Sequence, residues 1–506
     1  MLDNKKTNNS TCDVIIIGGG YGGIATGIYL QQCGYSTRIL ESSALPGGVS
    51  TVWRRGDYIF DGATNWVAGS SLSSYLHNMM SEVIDFEKLT FLYPEEFMRI
   101  YDGDTHFTVY TDTEKLREEM LRIAPEDRTV IDLFIKGIED RKKVSIPFAK
   151  PMQLASPLEK IKILAEYAPF FFNFLKWKGT SIEAFVKQFK SKKMQRLFLR
   201  MYPHHDFFSM FAVISTLAWH SLSAAGYPYG GSEKLLAVML EKYESLGGEI
   251  SYKTPVAEVL IEKNRARGVK TAAGTEYQAN TVIAACDGKH TLEDLLQGKY
   301  RNPFLEKKIN RGVQKYPGLF QLSLGLKNKL DVPFHKYNVE LTSPIAVTDK
   351  EECRDMMIRV CQEESGLSPA GTTTLIIHQR ISDVNYWIQL RKENREKYRA
   401  EKQRVARELK REVEHFFGEL SIACEDTASP ATYKRYTNAY NASYQGWAPT
   451  PKQIGKEVPM TFRGLKNFYL AGQWVFPAGG ITGVIRVARH VTQIICHRDR
   501  KNFPHS

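Results

Sequence analysis

The stretch that decides the fold is Asp13–Gly23, which reads DVIIIGGGYGG near the start of a 506-residue chain. Its four consecutive β-forming residues, Val14–Ile17, predict a buried parallel strand. The spacing Gly18-x-Gly20-x-x-Gly23 follows at once and opens a helical pattern. Gly18 allows the tight turn, Gly20 lets the backbone approach a pyrophosphate, and Gly23 lets the helix pack on the strand. The N-terminal amides of this helix then face the phosphates.

A second strand is predicted at Ser36–Leu40, and it ends in Glu41. An acidic side chain here accepts hydrogen bonds from a ribose and repels a 2′-phosphate, which argues for FAD or NAD rather than NADP. Ser42 lies beside this acid. The pair Gly47–Gly48 follows, and two interpretations stay open: a loop held against the cofactor, or an ordinary turn.

Two motifs near the C-terminus indicate which dinucleotide is bound. Phe468–Trp474 reads FYLAGQW, and Pro477–Gly483 reads PAGGITG. The first predicts a strand that returns to the N-terminal domain, and the second opens an apolar-faced helix. The amides and dipole at the start of that helix would stabilise an anionic reduced flavin ring. Since a nicotinamide enzyme needs no such C-terminal return, the sequence predicts FAD.

The composition is that of a globular protein of more than one domain. Hydrophobic residues make up 43% and aromatic residues 11% of the chain, which excludes a disordered protein. The seven cysteines are scattered without a CxxC pair, so neither a disulfide framework nor a zinc site is expected. No metal is predicted. The polar start, Met1–Ser10, does not resemble a secretory signal, and the glycines within 14–37 argue against a membrane span. We therefore expect a cytoplasmic location.

The middle of the chain alternates between α/β and helical patterns. Tyr227–Ser232 reads YPYGGS and precedes an apolar-faced helix, after which Glu249–Tyr252 and Val256–Ile261 read as strands. Thr281–Ala285 reads as a buried parallel strand that runs into Asp287. Because ligands bind at the carboxyl ends of parallel strands, Asp287 becomes a candidate site residue.

Five segments follow from these patterns. Residues 1–110, 226–300 and 456–506 are predicted to form an FAD-binding domain in three parts. Residues 111–225 are predicted to be a helical region that contacts substrate and membrane, and 301–455 a substrate domain. The predicted fold class is α/β, and the family resemblance set out below implies a discontinuous Rossmann-like domain of the GR2 flavoprotein type with an inserted α+β substrate domain.

An aromatic and basic segment lies within residues 163–200. Tyr167–Trp177 reads YAPFFFNFLKW, and residues 176–200 carry eight Lys and Arg against the single acid Glu183, in a chain of net charge +12. Rings at headgroup depth beside lysines suit a peripheral membrane contact. The alternative is a buried helix beside a solvated basic face. No motif supports binding to nucleic acid, which is not expected as a partner.

Motifs along the whole chain resemble those of one family. They are Gly18–Gly23, Pro46–Gly48, Tyr58–Gly62, Tyr227–Ser232, Gly247–Gly248, Ala428–Thr432 and Ala471–Gly483. They are similar to those of the FAD-dependent phytoene desaturases, carotenoid isomerases and retinol saturases, within the wider amine-oxidase-like flavoproteins. The resemblance is weak over 111–225. It implies a long apolar tunnel, peripheral membrane attachment and an apolar isoprenoid substrate.

The resemblance also implies positions for the cofactor. Glu41 would hold the adenosine ribose, and the backbone of Val256 would meet the adenine. Gly472 and Gln473 would meet the ribityl-phosphate end, and Ile481 and Thr482 would lie beside the isoalloxazine. The candidate cofactor-binding residues are Gly18, Gly20, Gly22, Gly23, Glu41, Ser42, Gly47, Gly48, Val256, Asp287, Gly472, Gln473, Gly480, Ile481 and Thr482.

Two departures from the family pattern bear on the subfamily. Val49 stands where many relatives carry Arg after the Gly-Gly pair, which leans away from the amine oxidases. Gln473 stands where an acid is frequent, so a hydrogen bond there must come from an amide.

The leading hypothesis is an FAD-dependent oxidoreductase or isomerase that acts on a carotenoid, retinoid or similar apolar isoprenoid by hydride exchange with flavin N5. A flavin amine or amino-acid oxidase is the alternative, and an Arg with an aromatic cage in the substrate domain would favour it. A non-catalytic flavin-fold protein that binds lipid or a partner is the third. The sequence assigns no catalytic side chain, because the flavin carries the hard chemical step. His204-His205-Asp206 is more readily read as structural than as a metal or base cluster.

Overall fold

A computed structural model describes residues 11–50, 52–62, 65–103, 105–146, 150–332, 336–477 and 480–505. The strands are β1 Cys12–Ile17, β2 Thr37–Leu40, β3 Val52–Arg55, β4 Tyr58–Asp61, β5 Val67–Ala68, β6 Phe91–Leu92, β7 Glu96–Asp102, β8 Thr105–Tyr110, β9 Ala225–Pro228, β10 Glu249–Ser251, β11 Val256–Glu262, β12 Arg265–Thr271, β13 Glu276–Ala284, β14 Gly318–Leu326, β15 Lys336–Ala346, β16 Glu352–Cys361, β17 Thr373–Ile381, β18 Ile422–Ala428 and β19 Phe468–Leu470.

The helices are α1 Tyr21–Gln32, α2 His77–Ser81, α3 Thr113–Ile123, α4 Arg128–Lys142, α5 Pro157–Glu166, α6 Ala168–Lys178, α7 Ile182–Val186, α8 Lys192–Arg200, α9 Met210–Ser221, α10 Gly231–Ser245, α11 Gly288–His290, α12 Pro303–Asn310, α13 Val384–Glu393, α14 Arg395–Phe417, α15 Pro430–Thr437 and α16 Gly480–Asp499. Among them, no helix of the described chain is both long enough and apolar enough to cross a bilayer.

The first sheet is built from three separated parts of the chain. Strands β10, β2, β1 and β13 pair in that order and in parallel, and β19 pairs in parallel with the other edge of β13. The first half of β13 pairs instead with β12, which forms an antiparallel hairpin with β11. The run Val14–Ile17 is buried, as its continuous apolar sequence predicts. This sheet confirms the predicted discontinuous α/β fold.

The second sheet has the order β18-β14-β17-β16-β15-β7-β8. All of its pairs are antiparallel except β15 with β7. Side chains that lie directly opposite each other in such pairs share a face. On one face, apolar residues such as Tyr337, Ile358 and Ile377 pack with the buried side of α14 in one core. The opposite face of the sheet is turned away from α14, and Lys336, Met357 and Arg380 of this face line a cavity.

Residues 111–225 form a helical layer with an apolar core of its own. This core joins α3, α4 and α6–α9 to buried residues of β7 and β8, among them Phe97 and Phe107. Because β7 and β8 also pair within the second sheet, we propose that the first part of the FAD-binding domain ends near residue 95 rather than 110. The other predicted boundaries stay predictions.

Candidate flavin and substrate site

In the glycine turn, most of the glycines are in close contact with other protein atoms, and one has free space beside its Cα. Gly18 adopts φ +106°, and a Cβ on Gly23 would lie 2.0 Å from the Gly18 carbonyl oxygen. A Cβ on Gly22 would lie 3.0 Å from Cα of Gly472, so this position brings α1 against the end of β19. A Cβ on Gly20, in contrast, would meet no protein atom nearer than 3.9 Å. The one open glycine stands at the helix N-terminus, where a pyrophosphate would bind.

Glu41 lies buried just after β2, and its carboxylate joins the glycine turn to the loop that follows β2. Oε2 accepts a hydrogen bond from the amide of Gly19 at 2.7 Å, and Oε1 accepts one from the amide of Ser43 at 2.7 Å. Oε1 also accepts from the hydroxyl of Ser42 at 3.2 Å, so of the about four acceptor positions of a carboxylate about one remains for a ribose hydroxyl. The acid thus fixes two loops and still has capacity for a ligand.

The C-terminal motif approaches the same cavity from the opposite side. Gly472 adopts φ +80° directly after β19. Helix α16 begins at Gly480, and the hydroxyl of Thr482 donates to the carbonyl of Ala68 at 2.8 Å. The first turn of α16 therefore presents backbone amides and a positive dipole end to the cavity.

One cavity is lined by most of the predicted cofactor residues, which are Gly18, Gly20, Gly22, Glu41, Ser42, Gly47, Gly48, Asp287, Gly472, Gln473, Gly480, Ile481 and Thr482. Gly23 and Val256 are not part of its lining. Gly23 is packed against Gly18, and Val256 is buried in β11. Asp287 caps α11, because its Oδ1 accepts a hydrogen bond from the amide of His290. Its Oδ2 accepts a hydrogen bond from the amide of Tyr440. Burial raises the pKa of this carboxyl. The roles of all these residues toward the cofactor stay predictions.

The cavity extends well beyond the cofactor cradle. Its volume is about 1170 Å³. It runs between helices α5, α6 and α9 on one side and the second sheet on the other, and its walls include Trp66, Phe170, Phe174, Phe211 and Trp219. Phe170 stacks on Phe174 with ring centroids 5.9 Å apart, and Phe174 meets Phe211 edge-on at 4.9 Å. Such a wall suits an elongated apolar molecule.

The sheet side of the cavity carries polar residues that the sequence analysis did not single out. Lys336 and Arg380 both line the cavity, at 7% and 8% exposure. Desolvation, together with the charges of Arg380 and Arg359, lowers the pKa of Lys336 to about 7. His220, on α9, lies close enough to Lys336 to be affected by its charge. Burial, together with this charge, lowers the pKa of His220 to about 3, so the imidazole is neutral. A signal was available along β15, where Lys336, Asn338 and Glu340 alternate with Tyr337, Val339 and Leu341.

His205, from the His204-His205-Asp206 run, lines the cavity with its ring edge-on to Phe208 at 4.4 Å. Its Nδ1 contacts the carbonyl of Pro203 at 2.7 Å, and burial lowers its pKa well below the ordinary value. Within the described ranges, no three His, Cys, Asp or Glu side chains converge as metal ligands.

Comparisons with known proteins identify the family of this chain. The family model described as flavin containing amine oxidoreductase matches residues 21–496. The chain belongs to this family. It is 23% identical over 513 residues to a phytoene desaturase (lycopene-forming) from Paracoccus sp., covering 95% of this chain and 96% of the relative. It is 22% identical over 525 residues to an all-trans-retinol 13,14-reductase from Danio rerio, covering 94% of this chain and 84% of the relative.

The fold agrees with that assignment. A crystal structure of an oxidoreductase from Methanosarcina mazei superposes with a TM-score of 0.60 at 14% identity, covering 95% of this chain and all of that one. The resemblance inferred from the motifs is therefore confirmed at the level of the family. The protein is an FAD-dependent oxidoreductase. The cradle fits the cofactor, because Gly20 leaves its approach open, Glu41 keeps acceptor capacity and α16 presents its N-terminus.

Proposed function

We propose that this flavoprotein exchanges hydride with an apolar, isoprenoid-like polyene, and so desaturates, saturates or isomerises it. The observation that carries the proposal is the cavity itself. It is continuous from the glycine turn to the surface helices α5 and α6, and its helical wall is aromatic. The relatives named as phytoene desaturase and retinol reductase support the same substrate class.

The chain's own contribution is to hold the substrate and to exclude water. Bound FAD supplies hydride transfer at N5. The rings of Trp66, Phe97 and Phe211 offer flat apolar contact to a conjugated chain, and Phe97 and Phe211 are buried. Because transfer of hydride to or from a polyene needs little acid–base help, no general base has to be assigned.

We propose further that the substrate enters from a membrane surface at α5 and α6. These helices expose Leu158 (80%), Ile161 (64%), Phe172 (72%) and Leu175 (59%) to solvent. Other residues of these helices, including Ile163 and Phe170, line the cavity, so we place its entrance beside this exposed apolar surface. The predicted contact over 163–200 shifts in this proposal to residues 157–178: α5 adds residues 157–162, and the C-terminal part is left out because Arg196 and Arg200 form ion pairs with Asp102.

The test is product analysis after the holoprotein is incubated with a panel of neutral C20 to C40 polyenes under reducing and oxidising conditions. We expect at least one polyene to gain or lose two hydrogens, or to change its double-bond geometry, and only when FAD is present. Unchanged polyenes throughout the panel would contradict the proposed function.

A flavin amino-acid oxidase is the second candidate, and one observation favours it. Arg380 lies 4.7 Å from the ring of Tyr444, which packs edge-on against Tyr316 at 5.2 Å. An Arg in an aromatic setting is what such an enzyme needs to bind a carboxylate. The nearby Lys336 counts against it, because a second cation repels a substrate ammonium group. Hydrogen peroxide production from amino acids and amines, with none from polyenes, would favour this candidate.

A further inference from the structure

The face of the second sheet that borders the cavity carries several polar residues, although its buried position favours apolar ones. The strand register places Lys336 opposite Arg359, Gln321 opposite His378 and Leu319 opposite Arg380 on this face. All but Leu319 are polar or charged, and all six are less than a tenth exposed. A cavity for a pure hydrocarbon does not need such a face, since each buried polar group is costly unless it finds a partner.

Two of the cations on this face, Lys336 and Arg380, lie against aromatic rings. Lys336 places its ammonium group 4.3 Å from the centre of the Phe97 ring, and Arg380 stacks on Tyr444. The Nε of Arg380 finds no hydrogen-bond partner among the described residues. Within the described part of the chain, neither cation has a carboxylate at ion-pair distance. The neighbouring Arg359 differs, because Asp61 is its electrostatic partner.

These cations lie at the flavin end of the cavity rather than at its entrance. Tyr444, beneath Arg380, is followed by Gln445, whose amide nitrogen is 3.3 Å from the Cβ position of Gly480 at the start of α16. The Lys336 ammonium contacts Phe97, which packs on His220, and His220 meets Trp66 at 5.2 Å. The exposed apolar entrance lies at α5 and α6. The cavity is therefore apolar at its entrance and cationic at its inner end.

We infer that the substrate is an apolar polyene that ends in a carboxylate, and that Arg380 and Lys336 bind this acid at the inner end of the cavity. This inference rests on the proposed function and specifies its substrate class. The apolar tail would then lie toward α5 and α6, and the bonds nearest the acid would lie nearest the flavin.

A carboxylate fits these residues better than the other end groups. The planar fork of Arg matches two carboxylate oxygens, and a lysine adds a point charge. A carboxylate gives both cations an anionic partner, and its charge favours the protonated form of Lys336. A phosphate ester carries nearly two charges, so binding it would require Lys336 to stay fully protonated, against the burial that lowers the pKa of this lysine to about 7. A neutral end group would leave both cations unpaired.

The test is an equilibrium titration of the holoprotein with one C20 polyene in four forms: retinoic acid, retinol, methyl retinoate and retinyl phosphate. Quenching of tryptophan fluorescence reports binding, because Trp66 and Trp219 line the cavity. We expect the acid to bind at least tenfold more tightly than the methyl ester. We expect Arg380→Met to remove most of that preference and Arg380→Lys to restore part of it, with flavin absorbance showing that each variant is folded.

The outcomes separate this inference from the proposed function. Equal binding of acid and ester, or an acid preference unchanged in both Arg380→Met and Lys336→Met, would overturn the inference and leave the proposed function standing. Tighter binding of retinyl phosphate than of the acid would overturn the choice of carboxylate. Binding of phenylalanine without binding of any C20 form would overturn both and favour the amino-acid oxidase.

Discussion

Two glycines of one turn give opposite predictions when each is changed to alanine. Gly20 has φ −78° and ψ 175°, a conformation that alanine adopts freely, and its added methyl group meets no protein atom within 3.8 Å. The methyl group instead enters the space through which a pyrophosphate approaches the α1 amides. Gly23→Ala places its methyl group 2.0 Å from a backbone oxygen, so the helix and the strand must separate.

The magnitudes follow from these contacts. Gly20→Ala should change the stability of the apoprotein by no more than about 0.5 kcal/mol, as surface substitutions do. Loss of one charge-assisted hydrogen bond to the pyrophosphate costs about 1.5–3 kcal/mol, which weakens FAD binding by about 10- to 150-fold. Gly23→Ala has to recover ordinary contact at 3.4 Å from a starting 2.0 Å. Overpacking of that kind costs about 1–3 kcal/mol or more, so the apoprotein itself should be destabilised.

The assay pairs thermal unfolding of the apoprotein with FAD titration by flavin fluorescence. The expected result is a normal melting temperature and weak FAD binding for Gly20→Ala, against a lowered melting temperature for Gly23→Ala. An FAD dissociation constant for Gly20→Ala within about twofold of the unaltered protein would refute the placement of the pyrophosphate at this turn.

Three further predictions concern the acid of the cradle, the entrance and the inner end of the cavity. Glu41→Gln replaces an acceptor oxygen by an NH₂ group, so one of the amides of Gly19 and Ser43 loses its partner at a cost of about 1–3 kcal/mol, and FAD affinity measured by titration should fall. Phe172→Glu should reduce sedimentation with anionic vesicles by at least about tenfold, whereas Phe304→Glu, a control with 59% exposure on α12, should not; equal loss in both would contradict the proposed entrance. Lys336 has a pKa of about 7 in the free protein, and a bound anion raises that pKa. The affinity for retinoic acid should therefore be highest below this pH and fall by up to about tenfold per unit above it. Titrations at several pH values should show a flatter profile for Lys336→Met, and an identical profile would contradict binding of the acid by this lysine.

The strand, glycine turn and helix that would form the cofactor cradle could be predicted because their signals are local in sequence. The signals lie within thirty residues: Val14–Ile17, the glycine spacing and Glu41. Each of them predicts its part of the site for a steric or hydrogen-bonding reason of its own. Val256 was harder to place, since its predicted role came from the resemblance alone, and it lies in β11 outside the cavity lining.

The cationic inner end was not predicted because its parts are distant in sequence. Lys336 and Arg380 lie on two strands that are separated in the sheet by β16, and only the register of the second sheet brings their side chains to one face. Alternation within single strands was visible, but it could not show which face would border the cavity and which would pack on α14.

The most direct test of the central claim is the visible spectrum of the anaerobic holoprotein before and after a polyene acid is added, with the flavin oxidised in one sample and reduced in another. The account predicts FAD bands in the purified protein and a change in either the flavin or the polyene absorption on mixing. A protein that neither holds nor takes up FAD, or spectra that are the simple sum of the components in both samples, would contradict it.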